Sequence, residues 1–69
     1  MNTQEAVQLV LDREGISKYR LAKTLGVVSS TSVNQWLRGT HMSTLVATQF
    51  EELYKIKIED AYDPLSAPN

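Results

Sequence analysis

Hydrophobic residues recur along this chain at helical spacing, in four clusters separated by glycine and serine. In the first, Ala6, Leu9 and Val10 mark one face, with Val7 and Leu11 widening it, while Gln4, Gln8 and Asp12 point to water. Asn2 followed by Glu5 fits a capping box, so helix 1 begins there and runs to Arg13 or Glu14, where Gly15 ends it. Ser17 is placed to cap a second helix from Lys18 to Leu25, whose apolar face is Leu21, Ala22 and Leu25.

Gly26 follows as a corner that tolerates positive φ. Ser29 or Ser30 caps a third helix, in which Val33, Trp36 and Leu37 form the inner face, and Gly39 closes it. Trp36 reads as core. Ser43 caps a fourth helix with Val46, Phe50, Leu53 and Tyr54 on one side. Beyond it, Tyr54, Ile56 and Ile58 alternate with charged residues, as a half-buried strand would. Two readings stay open: a C-terminal strand, whose partner could come from a second subunit, or a turn at Lys55 to Lys57 and a short helix over 58–62. The short helix is preferred, because a lone strand has no partner within the chain. Pro64 and Pro68 then mark a frayed tail.

The pattern therefore predicts an all-α fold, a compact four- to five-helix domain over residues 1–63, with a tail over 64–69. With 69 residues, no cysteine and one histidine, the chain has neither a disulfide framework nor a Cys/His metal set, and apolar packing must hold it. His41 reads as a loop residue, and no metal or cofactor is expected. No apolar run reaches the roughly 20 residues that span a bilayer, and the first residues lack a signal-peptide pattern, so a cytoplasmic protein with no membrane partner is expected.

Charge sharpens the picture once it is placed along the chain. The formal net charge is −1, but residues 1–48 carry five cations against three anions, a surplus of two, while residues 49–69 carry two against five, a deficit of three. The front of the molecule is the part that attracts phosphate. No nucleophile lies at an interpretable spacing from a base and no glycine-rich phosphate loop is present, which argues against an enzyme. The exposed aromatic and basic platform of single-strand RNA readers is also missing.

The string Leu21-Ala22-Lys23-Thr24-Leu25-Gly26-Val27, followed by Val33, Trp36 and Gly39, resembles the Cro and lambdoid repressor family of helix-turn-helix proteins, over residues 3 to about 62. Ala22, Gly26 and Val33 stand where that family has a small residue, a turn glycine and a branched anchor. The resemblance implies a lambda-repressor-like domain, a phage or prophage regulator in a bacterial host, binding a palindromic operator in double-stranded DNA as a homodimer, with no small-molecule effector. One departure matters: six residues separate Gly26 from Val33, one more than the family's commonest spacing. If the turn absorbs the extra residue, helix 3 keeps its face; if the helix absorbs it, the face rotates.

In a helix laid in the major groove, Ser30, Thr31, Asn34 and Gln35 are the candidate base readers. Asn34 or Gln35 offers the paired donor and acceptor that an adenine edge takes, and Thr31 a hydroxyl and a methyl for thymine. Lys18, Tyr19, Arg20, Ser29 and Arg38 are the candidate contacts to the DNA backbone. Ser29 and Ser30 serve equally well as caps, Gln35 as a solvated residue and Tyr19 as a cover for the core edge. Phe50, Tyr54, Ile56 and Ile58 are candidates for a dimer interface, or for the rim of the monomer's own core. The competing function is a protein-interaction module, an antitoxin or regulatory adaptor, using helix 4 and the C-terminal surface.

Overall fold

A computed structural model describes residues 1–27 and 29–63 of the chain. Among the described residues there are four helices: α1 (Thr3–Glu14), α2 (Lys18–Thr24), α3 (Ser30–Leu37) and α4 (Thr44–Tyr54). Each begins at a polar side chain that accepts a backbone N–H otherwise left without a partner. At α1 the capping box is complete, Asn2 accepting from Glu5 N–H and Glu5 accepting from Asn2 N–H. Ser17, Ser29 and Ser43 cap the other three, accepting from Arg20, Thr31 and Val46 N–H.

The second ends are closed as locally as the first. After α2, Gly26 takes a left-handed φ of 73°, its N–H donates to Lys23 C=O and that of Val27 to Ala22 C=O. After α3 the same pair of bonds recurs, Gly39 N–H to Trp36 C=O and Thr40 N–H to Gln35 C=O, with Gly39 at φ 110°. This double bond pattern satisfies carbonyls that the helix leaves open, and it needs a residue without a Cβ at the left-handed position.

One core unites the elements. Ala6, Val7 and Val10 of α1 meet Leu21, Ala22 and Leu25, Val33 and Trp36, and Ala47 and Phe50 of α4. Met42, Ile56 and Ile58 close it from the loops. Helix α3 packs against both α1 and α2, which fixes its direction on the surface. Two residues expected on inner faces lie outward instead: Leu9 is 37% and Leu53 48% exposed. Thr3 takes the inner place in α1 and is nearly fully buried.

The chain beyond α4 corrects the preference for a final helix. Lys55 turns the chain through a left-handed φ of 60°, and no helix forms over 56–63, where the chain is irregular and bends at Glu59 and Asp60. The segment finds partners inside the chain, which is why it does not coil into a helix: Glu59 N–H donates to Met1 C=O, Thr44 N–H to Tyr62 C=O, and Tyr62 N–H to Met42 C=O. Ser43 and Tyr62 form an isolated parallel bridge. The expected tail over 64–69 lies outside the described residues.

Asp60 anchors this segment to the start of α1. Its carboxylate accepts from both the N–H and the hydroxyl of Thr3, at 2.8 and 2.6 Å, and Thr3 Oγ1 in turn accepts from Met42 N–H at 3.1 Å. His41 Nδ1 stands 2.9 Å from Asp60 C=O and 3.0 Å from its carboxylate. Both neighbours are acceptors, so Nδ1 carries the proton. Burial opposes ionisation of Asp60, yet the two Thr3 bonds and His41 together outweigh it and hold the carboxyl below its ordinary value.

Candidate nucleic-acid interface

The outward face of α3 follows from where its inward face is anchored. Val33 and Trp36 are buried and Leu37 half-buried, which turns Thr31, Gln35 and Arg38 to solvent on one line, spaced four and three residues apart. Ser30, Ser32 and Asn34 flank that line, half-buried. Because α3 begins at Ser30 with Ser29 as its cap, the extra residue between Gly26 and Val33 sits in the turn and not in the helix. Val28, one of the residues expected to lengthen that turn, lies outside the described residues.

Among the side-chain amides, hydrogen bonding separates this face from the rest of the surface. Among the described residues there are six side-chain amides, and four are used within the chain. Asn2 caps α1, Gln4 donates to Leu37 C=O, Gln8 to Asp12, and Gln49 to Thr24 C=O. Asn34 and Gln35 are the two whose side chains bond to nothing. Thr31 and Arg38 likewise make no side-chain hydrogen bond or ion pair, although Arg38 caps α3 through its backbone N–H. Two amides, a hydroxyl and a guanidinium thus stand side by side with their donors and acceptors open.

The neighbouring surface is basic. Ser17, Tyr19, Arg20, Lys23 and Thr24 line an open depression of about 530 Å³ on the outer side of α2. Tyr19 is 64% exposed, and Lys23 Nζ lies 5.8 Å from the centre of its ring, within range of a cation–π contact. Tyr19 therefore belongs to this surface and does not cover the core. Lys18 is exposed at the first position of α2. Arg20 faces two ways: it lines the depression, and its charge also acts on Tyr54, whose hydroxyl is pushed up mainly by burial and by Glu14.

Some expected site residues are placed elsewhere. Ser29 is exposed, but its oxygen accepts Thr31 N–H at 3.2 Å, which makes it a cap. Phe50, Ile56 and Ile58 are withdrawn as side chains for a dimer interface, because all three are packed into the chain's own core. Tyr54 is half-buried, its ring 5.1 Å from that of Phe50. The exposed apolar residues of α4 are Leu45 and Leu53, which the helical pattern did not mark for this role.

Among the described residues, no group of three or more His, Cys, Asp or Glu side chains is placed to hold a metal ion, and no helix is long and apolar enough to cross a membrane. Comparison with family models, with curated proteins and with solved structures returns no match.

Proposed function

We propose that this chain is a sequence-specific DNA-binding transcriptional regulator, a small Cro-like repressor of phage or prophage type that occupies a palindromic operator as a homodimer in the bacterial cytoplasm. The observation that carries the reading is the outward face of α3, where Asn34 and Gln35 keep their amides free while every other described amide is used internally. A buried-side anchor of Val33 and Trp36 holds that face in place, so its groups are positioned before any ligand arrives.

An α-helix fits the major groove of B-DNA. With α3 there, Gln35 and Asn34 match the donor and acceptor of an adenine edge, and Thr31 offers its methyl and hydroxyl to thymine. Arg38, Lys18 and Lys23 neutralise phosphates and set the register without reading sequence. Each phosphate contact releases counterions, so affinity falls as salt rises. Two chains related by a two-fold axis place their α3 helices one helical turn of DNA apart, roughly 34 Å.

A second reading, the interaction module, draws on α4, where Leu45 and Leu53 are 72% and 48% exposed. Selection of bound duplexes from a random pool at physiological salt separates the two. The DNA reading expects enrichment of sites with two-fold symmetry. A folded protein that enriches nothing hands the function to the α4 surface.

A further inference from the structure

An α-helix leaves its last carbonyls without donors of its own. In α3 most of them are met from just beyond the helix. Arg38 N–H donates to Asn34 and Gln35 C=O at 3.2 and 3.1 Å, Thr40 N–H to Gln35 C=O at 3.0 Å and Gly39 N–H to Trp36 C=O at 3.1 Å. Leu37 C=O is different. Among the described residues no backbone N–H reaches it, and its donor is the side-chain amide of Gln4, 2.8 Å away on α1 and 33 positions earlier in the chain.

That bond acts on one peptide unit. Leu37 C=O and Arg38 N–H belong to the same planar group, so the group is held from within α3 on its N–H side and from α1 on its carbonyl side. Its orientation sets where the Arg38 side chain leaves the backbone, and Arg38 is exposed with its guanidinium unused. The base of Gln4 is itself fixed. Its neighbour Thr3 is 1% exposed and bonded to Asp60 through N–H and hydroxyl at 2.8 and 2.6 Å, and Ala6 and Val7 are fully buried. Gln4 is exposed, and a bond open to water contributes little to folding, because water offers a substitute partner. What water does not offer is a fixed position.

We propose that Gln4 is a positioning residue for the phosphate contact of Arg38: by gripping the peptide unit at the end of α3 from α1, it holds the root of the guanidinium where the DNA backbone passes. The proposal rests on the DNA reading of α3 and adds to it a residue from outside the helix-turn-helix pair. It does not extend to base reading, because Asn34 and Gln35 lie between the buried anchors Val33 and Trp36, which already hold them. Gln49 of α4 makes the comparable bond at the end of α2, to Thr24 C=O at 3.5 Å. That peptide unit leads into Leu25, which is buried and carries no charge, so Gln49 serves as the control.

Gln4→Met keeps the length of the stem and a good helix former while removing the donor. In the free protein it is expected to quicken exchange of the Arg38 amide about three- to tenfold, the worth of one hydrogen bond, and Gln49→Met is expected to leave that amide unchanged. On DNA, Gln4→Met is expected to weaken binding to selected and scrambled duplexes alike, again by about three- to tenfold, and to lower the slope of log affinity against log salt. In the Arg38→Gln background the same change is expected to do nothing, whereas Gln49→Met has equal effects in both backgrounds. Unchanged exchange at Arg38 overturns the proposal. So does a Gln4→Met factor that is the same with and without Arg38, which is what a merely structural role produces. A parent that binds no duplex overturns the DNA reading and this proposal with it, so the two failures are told apart by the parent alone.

Discussion

Two polar regions of this molecule put their hydrogen-bonding side chains to opposite ends. Around Asp60, a threonine hydroxyl, a carboxylate and an imidazole satisfy one another at 2.6 to 3.1 Å, and Thr3 at their centre is almost wholly buried. On α3, a threonine, two amides and an arginine lie together with no internal partner. The first arrangement exchanges bonds to water for bonds within the chain, so its worth is in folding. The second keeps its bonds to water until a ligand replaces them, so its worth is in recognition. Variants in the two regions should therefore part company: stability should move with Asp60, and binding with α3.

The largest effect is expected at the folded end of that comparison. Asp60→Ala removes the acceptor for Thr3 N–H and hydroxyl and leaves both without it in a tight site. It should lower the free energy of unfolding by about 3 kcal/mol, as measured by urea denaturation. On α3, Gln35→Ala and Asn34→Ala should each weaken binding to the selected duplex by about 1 to 3 kcal/mol. Their unfolding free energies should stay within about 0.5 kcal/mol of the parent, since neither side chain supports anything in the fold.

Arg38→Gln sharpens the comparison within the binding surface itself. It should weaken binding to all duplexes alike and reduce the slope of log affinity against log salt by about one, because a phosphate contact carries no sequence information. The smallest effect concerns acid. Asp60 holds its proton less readily in the folded chain than in the unfolded one, so its contribution is complete above the ordinary carboxylate range and is lost as the pH falls through the folded value. Urea midpoints taken from about pH 6 down to about pH 3 should fall, and Asp60→Asn should flatten part of that fall.

What could be read from the sequence was the local chemistry. Asn2 with Glu5, Ser17 and Ser43 announced the starts of α1, α2 and α4, and Gly15, Gly26 and Gly39 the ends of α1, α2 and α3, because caps are made by residues only a few positions apart. The outward face of α3 was legible for the same reason, since Val33 and Trp36 fix its opposite side within two turns. The segment after α4 was not, because what holds it out of a helix lies far away in the chain: Asp60 bonds to Thr3 and Glu59 to Met1, across more than 50 positions. Phe50, Ile56 and Ile58 left two readings open, a dimer interface or the rim of the chain's own core, and the fold packs all three into the core. The burial of Thr3 was not legible for the same reason, since its partner Asp60 stands 57 positions away.

The measurement that bears most directly on the account is the affinity ratio between a selected duplex and a scrambled one, taken for the parent and for the double variant Asn34→Ala, Gln35→Ala at one salt concentration. The account predicts that the parent discriminates between the duplexes and that the double variant brings the ratio close to one while unfolding at an unchanged urea midpoint. A double variant that discriminates as well as the parent would contradict it.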